Sequence, residues 1–123
     1  MRFTRESTPG INIIRGYGGG ELRINDTVYR GAVIVSATSL THEPAILDLE
    51  ALLAIDAARI MALEPEVLLL GTGAQQAFPP AHFSARYLRC GVGFETMNTG
   101  AACRTYNVLV GEQRRVVAML LTL

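Results

Sequence analysis

Two short bends, Gly71-Thr72-Gly73 and Asn98-Thr99-Gly100, carry the residue types in this chain best suited to holding a small anion. Each follows an expected strand and leads towards a helix start, where unpaired backbone N–H groups and the positive end of a helix dipole face outward. Thr72, Asn98 and Thr99 add short polar side chains, so the six residues define a candidate crevice for a carboxylate or a phosphate. The same residues also suit a structural role, with Thr99 as a helix cap. No catalytic set accompanies them. Cys90 and Cys103 lack CxxC spacing and read as small buried apolar residues in a reducing compartment; acyl transfer through either would need a histidine brought near in space. His42 and His82 stand far apart, outside any ligand spacing such as HExxH, so neither a metal nor another cofactor is expected.

Other residues qualify these bends. Gly18, Gly19 and Gly20 form a flexible turn or a phosphate-cradling loop, although the Lys-Ser/Thr or GxGxxG context of such loops is missing. Tyr106 is predicted to pack its ring and find a partner for its hydroxyl, while Asn107 ties its helix to a loop. Arg104 falls on the opposite side of that helix from the packing stripe, solvated or meeting a partner protein.

The elements that must position these groups follow from pattern. Val67–Gly73, VLLLGTG, is an apolar run bounded by Pro65 and Gly71, as a strand buried on both faces requires. Pro80 to about Arg89 reads as a helix with Gly91 at its carboxyl cap, Val92–Met97 alternates as a strand, and Thr99 is the expected cap of a helix running to Val110 with Gly111 in the left-handed position. Val116–Leu121 is a further buried strand. Right-handed crossovers make these three strands parallel and place both bends on one rim of the sheet. Upstream, Ile11–Tyr17 is a first strand, and Glu21–Ile24 with Thr27–Tyr29 flank Asn25-Asp26 as a hairpin. The second hairpin strand is expected to run on through Arg30 and Gly31 into Ala32–Val35. Ser36–Pro44 reads as a surface connection, and a helix ending near Leu63 starts at Asp48 or Asp56. The fold class is therefore α/β: a three-layer single domain over residues 11–123, with a mixed central sheet, a parallel carboxyl-terminal β-α-β-α-β unit and an amino-terminal antiparallel hairpin. Residues 1–10 form a flexible arm.

Composition narrows the function classes. The 123 residues carry zero formal net charge. All basic residues are Arg, with only Arg114 and Arg115 adjacent, which argues against a nucleic-acid footprint. The start, MRFTRESTPG, lacks a signal-peptide apolar stretch, and no apolar run approaches the roughly 18 residues of a bilayer span. A cytoplasmic protein without direct membrane insertion is the expectation.

VLLLGTG, followed after one loop and helix by GVGFETMNTGAACRTYNVLVGEQRRVVAMLL, resembles a small α/β family of unknown function. That family includes the mitochondrial NADH dehydrogenase (ubiquinone) assembly factor 3 and the adipogenesis-associated domain protein. The resemblance runs from about Pro65 to Leu121 and rests on the Gly-Thr-Gly turn and the spacing of Thr99, Ala102, Tyr106, Asn107 and Leu109. It implies a three-layer α/β domain with no established catalytic residues and, by its mitochondrial relative, a protein-interaction factor whose partners are respiratory-complex subunits or other assembly proteins. A Trp that some relatives carry before the first helix is absent here. With no transit peptide, the chain looks like the compact bacterial form.

Overall fold

The computed structural model describes residues 10–122. The arm expected over residues 1–10 lies outside them except for Gly10. Three strands, β1 (Ile14–Gly18), β2 (Glu21–Ile24) and β3 (Thr27–Tyr29), form one antiparallel sheet. A second, mixed sheet has the order β5-β4-β8-β6-β7, from β4 (Ala32–Ser36), β5 (Leu40–Glu43), β6 (Val67–Gly71), β7 (Gly93–Met97) and β8 (Val116–Leu121). Strand β8 pairs antiparallel with β4 and parallel with β6, and β6 pairs parallel with β7.

Apolar residues on both faces make β4, β6 and β8 central. Val33, Val35, Leu69, Ala118 and Leu120 face one core, shared with β1, β2 and helix α4 (Thr99–Gly111). Their neighbours in sequence, including Ile34, Leu68, Leu70, Val117 and Met119, face the other. Three helices cover that second core: α1 (Leu49–Leu53), α2 (Ala57–Met61) and α3 (Ala81–Leu88). This period-two alternation with both faces apolar is what a sheet buried between two layers demands.

Several boundaries differ from the sequence expectation. The first strand starts at Ile14 rather than Ile11, because Asn12 and Asn25 hold the preceding backbone with side-chain hydrogen bonds outside the ladder. The hairpin does not continue through Gly31. That residue is left-handed at φ 88°, and the chain passes there from one sheet to the other. Ser36–Pro44 is not merely a connection, since Leu40–Glu43 pairs with β4. As an edge strand with exposed side chains it needed no apolar alternation, so its pattern gave no signal. The helix expected to end near Leu63 is two helices, and both predicted starts are used: Asp48 caps α1 and Asp56 caps α2. Pro80 is the N-cap of α3 rather than a residue of its first turn. Asn98, not Thr99, caps α4, its side chain accepting from Ala101 N–H at 2.8 Å, and Thr99 is the first helical residue. At the other end Gly111 is helical and Gln113 takes the left-handed position at φ 63°. Of the two cysteines Cys103 is buried and Cys90 is exposed, contrary to the expectation for the latter.

Candidate functional site

Because β6, β7 and β8 run parallel, Gly71, Met97 and Leu121 end on one rim. The two bends meet there: Gly73 N–H donates to Thr99 Oγ1 at 2.8 Å, and Thr99 N–H donates to Gly73 carbonyl at 2.8 Å. Thr99 Oγ1 in turn donates to Leu121 carbonyl at 2.6 Å. One buried hydroxyl therefore ties the ends of β6 and β8 to the start of α4. Thr72 performs a parallel task in its loop, donating from Oγ1 to Gln75 carbonyl at 2.7 Å and accepting from Ala77 N–H at 3.1 Å.

The glycines have separate reasons. A Cβ on Gly71 would stand 2.9 Å from Leu120 Cδ2, 3.0 Å from Thr99 Oγ1 and 3.2 Å from Ala102 Cβ, so its absence lets α4 close on the sheet. Gly73 has φ 100°, a conformation side chains disfavour. On Gly100 a Cβ would meet Tyr17 Cε1 at 2.8 Å. That ring, from the end of β1, lies against the first turn of α4.

A cavity of about 460 Å³ opens at this rim. Gly73, Asn98, Thr99 and Gly100 line it, while Gly71 and Thr72 do not. The opposite wall consists of Tyr17, Gly18–Gly20 and Glu21, with Ala74, Arg104 and Thr122 completing the lining. Gly100 N–H lies in the first turn, where helix geometry leaves it no intrahelical acceptor. Arg104, one turn further along α4, donates to Tyr17 hydroxyl and sits 5.9 Å from its ring centroid. Glu21 is paired with Arg30 outside the cavity lining. Arg104 is therefore the cation that the cavity offers an anion. Sequence reasoning placed Arg104 on the solvated side of α4 and treated Gly18–Gly20 apart from the bends. The four-residue step from Gly100 to Arg104 was a signal that both share a helix face.

Away from the cavity, Asn107 and Tyr106 hold the amino-terminal sheet on α4. Asn107 donates from Nδ2 to Ile14 carbonyl at 2.7 Å and accepts from Ile14 N–H at 3.0 Å, reproducing the bonds of a neighbouring strand. Tyr106 hydroxyl donates to Asn12 carbonyl at 2.8 Å, and burial pushes its ionisation upward. Ala102 is fully buried and Leu109 packs against the same core. Burial also raises the Cys103 thiol to about 12, the Arg104 charge opposing the shift. Among the described residues there is no group of three or more His, Cys, Asp or Glu side chains that could hold a metal ion.

Known proteins share the sequence pattern and the fold. The family described as "Protein of unknown function (DUF498/DUF598)" matches residues 14–121. A Francisella tularensis subsp. holarctica protein named "13 kDa major membrane protein" is 32% identical over 122 residues, covering 98% of this chain and 99% of that protein. A Bordetella parapertussis crystal structure shares 33% identity at a TM-score of 0.79, covering 94% of this chain and 98% of the other. The solution structure of a Bordetella pertussis protein, described as a Mth938-like domain, shares 27% at 0.78, covering 99% and 92%. No described helix is long and apolar enough to cross a membrane.

Proposed function

Because this chain belongs to the DUF498/DUF598 family of proteins of unknown function, we propose that it is a non-enzymatic protein-interaction or assembly factor working beside a membrane. The observation that carries this reading is where the motif side chains point. Thr99, Tyr106 and Asn107 direct their polar atoms to the backbone of Gly73, Leu121, Asn12 and Ile14. Such groups stabilise a scaffold, and each would cost about 1–3 kcal/mol if left unpaired. The name of the Francisella relative supports a membrane setting, and the resemblance to complex I assembly factor 3 supports respiratory-complex subunits or their assembly proteins as partners. Nucleic acid is not among them. Affinity capture of the tagged chain from a detergent extract of native membranes tests the reading. Recovery of complex I subunits or assembly partners is expected; their absence, with the bait intact, counts against it.

One observation favours a second reading. The cavity joins Arg104 to the Gly100 N–H and to glycine-lined walls, an arrangement suited to a small anion or nucleotide-like molecule. A thermal-shift screen with phosphates, nucleotides and carboxylates decides it. A ligand at one hundred times its Kd stabilises the fold by about 2.7 kcal/mol, and a flat screen would remove this alternative.

A further inference from the structure

Helix α3 and the loop before it present a surface that neither the core nor the cavity explains. Phe83 and Tyr87 face the second core. At 100° per residue the outward side of the helix then carries Ala81, Ala85 and Leu88 in one line and His82 and Arg89 in a second line beside it, with Arg86 at the flank, its guanidinium 5.7 Å from the Phe83 ring centroid. Leu88 is 55% exposed. Just upstream, Phe78 is 76% exposed. Its position is fixed rather than loose: Thr72 Oγ1 accepts from Ala77 N–H, Thr96 Oγ1 donates to Ala77 carbonyl at 3.1 Å, and Gln76 Nε2 donates to Thr96 carbonyl at 3.0 Å. Thr96 is in register with Leu70, which faces the second core, so these bonds hold the loop on the α3 side of the sheet.

Charge decides what such a face fits. From Val67 to Phe94 the sequence contains no Asp or Glu, although Asp56, the cap of the neighbouring α2, is close enough for its charge to act on Tyr87. Glu95, the next acid, is in register with Leu69 and so points to the opposite side of the sheet. A second copy would bring the same positive line and so offers no complement. A partner protein would need a pre-shaped cleft for an aromatic ring standing clear of its surroundings. A bilayer accepts apolar protrusions without one, while arginines beside them remain at headgroup level.

We propose that the Phe78–Leu88 face is a docking surface for an anionic lipid bilayer, with Phe78 and Leu88 entering the interface and Arg86 and Arg89 held over acidic headgroups. This deepens the reading of the chain as a factor working beside a membrane. The chain rests on the bilayer through α3 and the loop before it, not through α1 and α2 with their Asp48, Glu50 and Asp56, and leaves the Arg104 cavity and α4, across the sheet, open to other partners.

Flotation of the full chain with phosphatidylcholine vesicles, with and without about one third phosphatidylglycerol, tests the proposal. Binding is expected only to the acidic vesicles, weakening as salt rises from about 0.1 M to about 0.5 M. Phe78→Ser with Leu88→Gln is expected to lower the apparent affinity by about tenfold or more, and Arg86→Gln with Arg89→Gln by about tenfold. Val108→Ser removes an equally exposed apolar group on α4 and should leave binding unchanged. Melting temperatures near that of the parent establish that the variants fold. Wild-type chain remaining unbound at every lipid concentration overturns the proposal, as does binding that the Phe78/Leu88 pair does not alter. If the parent captures partners from detergent extract yet binds no vesicles, the assembly reading stands and this one falls. If the Phe78/Leu88 pair abolishes that capture without any vesicle binding by the parent, the face belongs to a protein.

Discussion

Asn107 and Cys103 show how much of this fold depends on single polar and thiol groups. The Asn107 amide serves as donor and acceptor to one residue, Ile14, so substitution separates the two roles. Asn107→Ala should destabilise by about 2 kcal/mol. Asn107→Asp, which retains an acceptor for Ile14 N–H but sets a carboxylate against Ile14 carbonyl, should be at least as damaging, and urea denaturation of both variants checks the order. Cys103 is buried, and that burial raises its thiol from its ordinary value to about 12, whereas Cys90 is exposed. An acid whose ionisation is raised by folding stabilises the native state below its unfolded value and loses that contribution as pH climbs towards the folded one. The melting temperature should therefore fall from about pH 9 upward, with Cys103→Ala flattening the first part of the decline; Tyr106 and Tyr87, also raised by burial, add to it at higher pH. At neutral pH an alkylating reagent should label Cys90 rapidly and Cys103 only after unfolding, as mass spectrometry of a time course would show.

At the scale of elements, the decisive contact is α4 against the carboxyl ends of β6 and β8. Gly71 makes it possible, since a methyl group there would press on Leu120, Thr99 and Ala102 together. Gly71→Ala should cost about 1–3 kcal/mol by overpacking, measurable as a lowered denaturation midpoint with the far-ultraviolet spectrum retained. Asn98→Ala removes a cap bond and should cost about 1 kcal/mol. Thr99→Val should cost more, because Gly73 N–H then loses its acceptor in a buried setting. The sequence marked these positions correctly as a meeting point but assigned the cap to Thr99. Ser, Thr and Asn all suit that position, so local chemistry could not choose between adjacent residues. The hydrogen bond from Thr99 to Leu121, 22 residues away, did.

At the scale of the whole molecule, the described residues set a five-stranded mixed sheet between α4 with the small antiparallel sheet on one face and α1–α3 on the other, and its interior should exchange last. Strand β8, bonded along both edges and buried throughout, is expected to show the slowest amide exchange. The short helices α1 and α2 and edge strand β5 should exchange first, and deuterium uptake by peptide mass spectrometry would reveal a different order. By itself the sequence determined the class of fold, the three parallel strands, the hairpin turn at Asn25-Asp26 and the family, because buried strands and tight turns write their demands into consecutive residues. It did not reveal β5, whose exposed side chains leave no periodic trace. Nor did it reveal the break at Gly31, where a Cβ would come within 2.7 Å of Pro44 Cα. Only the tertiary structure brought Tyr17 and Gly18–Gly20 opposite Arg104 across the rim cavity and joined Asn107 to Ile14. Those pairings span 80 residues or more of chain, as the Arg104–Tyr17 and Asn107–Ile14 bonds do at separations of 87 and 93, and contacts of that kind are fixed by the packing of layers, not by neighbouring residue types.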